Sequence, residues 1–200
     1  MAGIGETSSA DDALGRLSAA LGDVARRDPA PVEMWNPAYC GEIDMRIAAD
    51  GTWFYMGTPI GRPALVKLFA GVLRRDPERF VLVTPVERVG IEVEDAPFAA
   101  VEMAVSGVGE ERSIAFRTNV DELVSVGPEH PLRFEENAED GGVKPYLLVR
   151  GDLWARVTRA LTYDLVDLGE TRRVDGQDIY GIAAAGAFYP VPGGTEGATG

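Results

Sequence analysis

Two stretches of this chain read alike. Ile60-Gly61-Arg62-Pro63-Ala64-Leu65 and Leu148-Val149-Arg150-Gly151-Asp152-Leu153 each close a strand-like run, present an arginine and open a helical segment, and Arg150 follows Arg62 by 88 residues. At that offset Leu65, Phe69, Val72 and Leu73 fall on Leu153, Val157, Ala160 and Leu161, the spacing of one apolar helix face. The repeat predicts an α+β fold: an internal duplication of a mainly antiparallel sheet-plus-helix unit. Two related halves imply an interface between them, and an interface is where a ligand would sit.

A chain of this length buries about 70 % of its unfolded surface, enough for one compact domain or two packed subdomains. With 46 % hydrophobic and 26 % charged residues it belongs to the ordinary globular class, and no apolar run approaches the roughly 20 residues of a membrane span. Met1-Ala2-Gly3-Ile4-Gly5-Glu6 carries neither a basic region nor an apolar core, so no secretory signal is read and the expected compartment is cytoplasmic. Cys40 is the single cysteine; it cannot form an internal disulfide and reads as a small buried hydrophobe. The formal net charge of −13 repels a phosphate backbone, which argues against a nucleic-acid polymer as partner and leaves room for a small anion held by two or three arginines. Of 19 basic residues only Lys67 and Lys144 are lysine, so the cations are mostly planar forks suited to carboxylate and phosphate.

Along the chain, Leu14, Leu17, Leu21 and Val24 predict a helix over Asp11–Arg27, and Pro29, Pro31 and Pro37 an extended lead-in. Residues 1–30 form this leader, 31–97 a first α+β subdomain, 98–191 a second, and 192–200 a disordered tail. Glu42–Ala48, Asp50-Gly51 and Thr52–Gly57 read as a hairpin. A two-residue loop there sets Ile47 against Phe54 and Met45 against Met56, and places Asp44, Arg46, Trp53 and Tyr55 on the other face, with Arg46 across from Tyr55. Pro63 suits the first position of a helix reaching about Arg75. Strands are expected over 80–83, 86–94, 98–106, 113–118, 122–126, 132–135 and 146–149, with a mobile acidic loop over Asn137–Gly142. Asp152 stands as N-cap of a helix to about Asp167, and a final strand runs near Ile179–Tyr189.

An arginine beside a helix N-terminus joins its fork to unpaired N–H groups and the positive end of the dipole, a combination that attracts phosphate or carboxylate. Arg62 and Arg150 equally suit structural salt bridges in an acid-rich chain. Arg156 projects from the side of Arg150 or into solvent. His130, the only histidine, suits a proton donor, a ligand contact or a structural role. No Gly-x-Ser-x-Gly elbow, Walker loop, Gly-x-Gly-x-x-Gly or zinc-ligand spacing occurs, so no cofactor or metal is expected. Glu135, Glu136, Glu139 and Asp140 read as a solvated acidic loop in preference to a cation site. Thr118-Asn119 suits a turn or a pair of ligand hydrogen-bonders, and Tyr163 a ring packed on the sheet with its hydroxyl exposed.

The strings Cys40–Ile47, Asp50–Tyr55 and Gly57–Arg62 resemble a bacterial family called domain of unknown function 1285. Leu82–Glu87, Val93–Phe98, Thr118-Asn119, His130–Arg133 and Pro145-Tyr146 extend the likeness over about residues 31–168. The resemblance implies a duplicated α+β core, a second half like pleckstrin-homology domains, a groove for a nucleotide-like ligand and a role in signal transduction. Transferred residue by residue, the ligand-binding expectation falls on Arg46, Tyr55, Arg62, Thr118, Asn119, His130 and Arg150.

The expected function is therefore a non-enzymatic, cytoplasmic ligand-binding or sensory protein that closes two halves on a small anionic, nucleotide-like molecule. Arginines would hold the anion, Trp53 or Tyr55 would stack on a ring, and Thr118 with Asn119 would read polar edges. Two other classes stand beside it: a protein-interaction module docking a partner on the second half's sheet, and an enzyme using His130 as acid or base.

Overall fold

The computed structural model describes residues 30–137 and 141–193. The expected N-terminal helix, Glu139 and Asp140 of the acidic loop, and all but the first two residues of the expected tail lie outside the described residues. The chain divides into two compact units between Asp95 and Ala96. No helix of the described residues is long and apolar enough to cross a membrane.

In the N-terminal unit, β1 (Tyr39–Ile47), β2 (Trp53–Tyr55) and β3 (Thr58–Pro59) form a meander, and α1 (Pro63–Gly71) leads to a second one of β4 (Leu73–Asp76), β5 (Arg79–Val83) and β6 (Arg88–Val93). They build one six-stranded sheet in the order β3-β2-β1-β6-β5-β4. Its central β1–β6 pair is parallel and its other pairs are antiparallel. Leu65 and Phe69 of α1 are buried, and the Phe69 ring stacks on Trp53 with centroids 6.1 Å apart. Buried Arg74 donates from Nη1 to the carbonyls of Val32 and Trp35 at 2.8 and 2.6 Å, fastening the proline-rich lead-in to β4.

In the C-terminal unit, β7 (Phe98–Ser106), β8 (Ser113–Thr118) and β9 (Leu123–Ser125) are followed by β10 (Leu132–Glu136), β11 (Val143–Arg150) and β12 (Leu153–Val157). The sheet order is β10-β11-β12-β7-β8-β9, again with its first and last strands parallel at the centre. α2 (Arg159–Asp167) follows, then an antiparallel sheet of β13 (Glu170–Val174), β14 (Gln177–Ala184) and β15 (Ala187–Pro190). Phe98, Phe116, Leu147, Leu153 and Leu165 are fully buried in this unit.

This architecture corrects the expected α+β class. Among the described residues strand accounts for 51 % and helix for 14 %, so the chain is mainly β. The duplicated strand–arginine–helix signature fails at its second copy. Gly151 and Asp152 both take positive φ, 47° and 63°, and turn the chain as a two-residue hairpin that pairs Arg150 with Leu153, the geometry that type I′ turns supply. Asp152 is thus a turn residue, and Leu153, Ala155 and Val157 are buried at period two while Trp154 and Arg156 are half-exposed. The pleckstrin-homology-like description of the second half falls with it: α2 follows a mixed six-stranded sheet and precedes three more strands. Likewise α1 stops at Gly71: of the residues counted above as helix, Val72 caps it and Leu73 begins β4.

The first hairpin is also in a different register from the expected one. Ala48 N–H donates to Thr52 O at 2.9 Å and Gly51 N–H to Ala48 O at 2.8 Å, so the loop holds Ala49, Asp50 and Gly51, with Gly51 at φ 86°. The left-handed third residue marks the three-residue hairpin closed by a glycine bulge. Asp50 accepts from Thr52 N–H at 2.9 Å, and this bond, with the Thr52 hydroxyl, holds its carboxyl below the usual value. Ile47 now faces Trp53, Met45 faces Tyr55 and Arg46 faces Phe54. One added loop residue has moved Trp53 and Tyr55 onto the face of Met45 and Ile47. Trp53 is consequently 1 % exposed.

Candidate functional site

At the start of β11 and the end of β12 the sheet of the C-terminal unit meets the first turns of α2. Thr158 enters the helix with extended backbone, and the Thr162 hydroxyl donates to its carbonyl at 3.0 Å. Arg159, Thr162, Tyr163 and Val166 follow at i, i+3, i+4 and i+7, which puts them on one helix face. That face, with Val143, Lys144 and Pro145 of β11, Arg156 and Val157 of β12, and Asn137 and Gly142 of the preceding loop, lines a cavity of about 330 Å³. Three of these residues, Lys144, Arg156 and Arg159, are basic, and the described lining contains no carboxylate. Arg159 Nε lies 3.4 Å from the Tyr163 hydroxyl, and Tyr163 is 60 % exposed. Guanidinium forks and an ammonium are the groups that recognise a carboxylate or phosphate.

The residues expected from sequence occupy both units. Thr118, Asn119 and Arg150 come together in the C-terminal one. Thr118 is fully buried, and its hydroxyl accepts from the N–H groups of Val120 and Glu122 at 3.3 and 3.1 Å. Asn119 clasps β7, its N–H donating to Ala99 O at 2.8 Å and its Oδ1 accepting from Ala99 N–H at 3.0 Å. Arg150 pairs with Glu122 at 3.1 Å and lies 5.4 Å over the Phe98 ring. The three are tied into one turn-and-strand network through Glu122, Phe98 and Ala99. His130 is half-buried in the turn before β10, and its Nδ1 is 3.1 Å from Leu148 O. A carbonyl only accepts, so Nδ1 carries the proton and Nε2 is the atom left to act as a base in the neutral ring.

In the N-terminal unit, Arg46 is ion-paired with Glu94 and lies 4.4 Å over Phe54. Tyr55 is half-buried on β2, and Arg62 is exposed at the N-terminus of α1, making no side-chain cap. A cavity of about 450 Å³ lies in this unit too, but Glu42, Asp44, Glu78 and Glu92 border it alongside Arg75 and Arg79, so it lacks a uniform complement for an anion. Among the described residues no group of three or more His, Cys, Asp or Glu side chains gathers to hold a metal.

Lys144 and Arg159 carry no weight in the sequence reading, and Arg156 and Tyr163 only an ambiguous one. A signal was available in the i, i+4, i+7 spacing of Arg159, Tyr163 and Val166, once α2 is started at Arg159 instead of Asp152. Pairing Lys144 with that face requires the β11–β12 register, which no local pattern prints.

A comparison with curated proteins gives no match. The crystal structure of a DUF1285 family protein from Silicibacter pomeroyi DSS-3 is 48 % identical, with TM-score 0.76, over 81 % of this chain and 86 % of that one. A DUF1285 family protein from Shewanella baltica OS155 is 27 % identical over 62 % of this chain and 91 % of that one, with TM-score 0.49. The model of the DUF1285 N-terminal domain, a domain of unknown function, matches residues 30–96, and that of the C-terminal domain, from a protein of unknown function, matches residues 97–191. With both domain models meeting end to end along its two sheet units, the chain belongs to the DUF1285 family.

Proposed function

We propose that this protein binds a small organic anion, without turning it over, in the cavity between α2 and the β11–β12 strands. The observation that supports the reading is that Lys144, Arg156 and Arg159 are all among the residues lining one cavity whose described lining has no carboxylate, in a chain of net charge −13. The cavity lies at the lower end of the 300–1,000 Å³ span of small-molecule sites. A cytoplasmic sensor, whose occupancy is its signal, is the finer form of this proposal, and a nucleotide-like ligand is its version under the family resemblance.

Thermal unfolding of the full chain with a panel of carboxylates, phosphorylated sugars and nucleoside monophosphates tests it. At a hundredfold excess over Kd, linkage adds about 2.7 kcal/mol, a rise in Tm of about 5–10 °C for a chain of this length. Arg156→Gln is expected to abolish the rise while leaving the unliganded Tm within about a degree or two. Absence of any rise across the panel overturns the proposal.

A further inference from the structure

We propose that the outer edge of β13 pairs with the same edge of a second copy of this chain, antiparallel and centred on Thr171. β13 ends its sheet, whose order is β13-β14-β15. Its pairing with β14 runs from Glu170 opposite Gly181 to Val174 opposite Gln177 without a register shift. Asp175 and Gly176 close that hairpin as a two-residue loop with both residues at positive φ, so Val174 and Gln177 exchange both of their main-chain bonds. Alternation then turns the N–H and C=O of Glu170 and Arg172 toward β14 and those of Thr171 and Arg173 outward. No main-chain bond between described residues takes up these outward groups. Thr171 and Arg173 are both exposed, so the space beside the strand is open.

Charges on an edge discourage further pairing, and here they select one partner. Two copies related by a two-fold axis present the same edge to each other, and each register is centred on one residue. Centred on Glu170, Arg172 or Arg173, the edge sets two like charges directly opposite. Centred on Val174, it runs half of the strand past the other copy's turn. Centred on Thr171, it sets Glu170 against Arg172 of the other copy twice, threonine against threonine, and Arg173 against Gly169, which has no side chain to oppose it. The outward main-chain groups of Thr171 then meet their own counterparts in two hydrogen bonds about the axis.

Glu170 and Arg172 share one face of β13 and are already ion-paired, and the guanidinium lies 5.2 Å over the Phe188 ring. Pairing extends that ion pair and breaks nothing. The four groups form a square of alternating sign: each has an opposite charge on its own strand and another about 5 Å across, while its like charge sits on a diagonal of about 7–8 Å.

An edge of five residues falls short of a standard interface of about 1,600 Å², so monomer and dimer exchange. The test is sedimentation equilibrium of the full chain from about 1 μM to about 1 mM, where the weight-average mass is expected to rise with concentration. Glu170→Arg sets arginine against arginine and Arg172→Glu sets glutamate against glutamate; each is expected to weaken the dimer by about tenfold or more. Mixed in equal amounts, the two variants should pair with each other, since each presents the sign that the other lacks. Recovery in the mixture also shows both variants to be folded, which separates a lost interface from a lost fold. Thr171→Pro removes the central donor at a position that gives β14 no bond and should leave a monomer, with cooperative thermal unfolding retained. A wild-type chain that stays monomeric to about 1 mM overturns the proposal, as does a dimer that the three variants leave unchanged. So does a mixture of the two charge variants that unfolds cooperatively yet does not associate.

Discussion

The Thr118 hydroxyl, at the end of β8, is surrounded by protein and holds two main-chain donors of the turn to β9, Val120 N–H and Glu122 N–H. A buried donor stripped of its acceptor costs about 1–3 kcal/mol. Thr118→Val keeps the volume and orphans both donors; Thr118→Ser keeps the oxygen and gives up a methyl worth about 0.8 kcal/mol. Urea denaturation should therefore rank threonine above serine above valine in stability, and valine matching or exceeding serine would show that the hydroxyl does not organise this turn. Sequence shows two short polar residues after a strand and leaves turn and ligand contact open. The deciding quantity is burial: Thr118 is fully buried, as are Val120, Val124 and Val126 of the following segment.

Hairpin turns govern the elements of this chain, and several follow one backbone solution. Met56-Gly57, Gly151-Asp152, Asp175-Gly176 and Ala185-Gly186 each place two successive residues at positive φ between directly paired strand ends. Type I′ turns match the right-handed twist of the strands they join and favour Asn, Asp or Gly at both central positions. Met56, at φ 49° and 52 % exposed, fits that geometry poorly, because an L side chain in the left-handed region costs about 1–2 kcal/mol unless it is Asn or Asp. Met56→Asn should stabilise the chain by about 1 kcal/mol in the same denaturation assay. A destabilisation would show that the methionine side chain supplies packing that outweighs the strain. The Asp50-Gly51 turn was legible in the sequence, as were the β7–β8 hairpin boundaries. Loop length was not, because Ala49 resembles a strand residue, and that single residue decides which face Trp53 and Tyr55 share.

Across the whole molecule, the recurrence lies in hydrogen-bond connectivity. Both six-stranded sheets join two meanders through a parallel pair of first and last strands, whereas Arg62 precedes a helix and Arg150 a hairpin. Matching residues at a fixed offset cannot detect a shared strand order, since turns and insertions differ in length between units. Charge is the other property of the whole chain, and it makes a kinetic prediction. A ligand anion approaching a protein of net charge −13 meets repulsion before it reaches Lys144, Arg156 and Arg159. Salt shortens that field from about 30 Å at 0.01 M to about 10 Å at 0.1 M, so the association rate should rise over this range. Contacts inside the cavity are screened as well, and the dissociation rate should rise too. Steering by a local patch of favourable sign gives the opposite dependence, an association rate that falls with salt. Line-shape analysis of an NMR titration with an anion that raises the Tm, at the two salt concentrations, reads both rates. An association rate that falls would mean that an incoming anion feels the three cations from outside the cavity and that the net charge of the chain is too distant to matter.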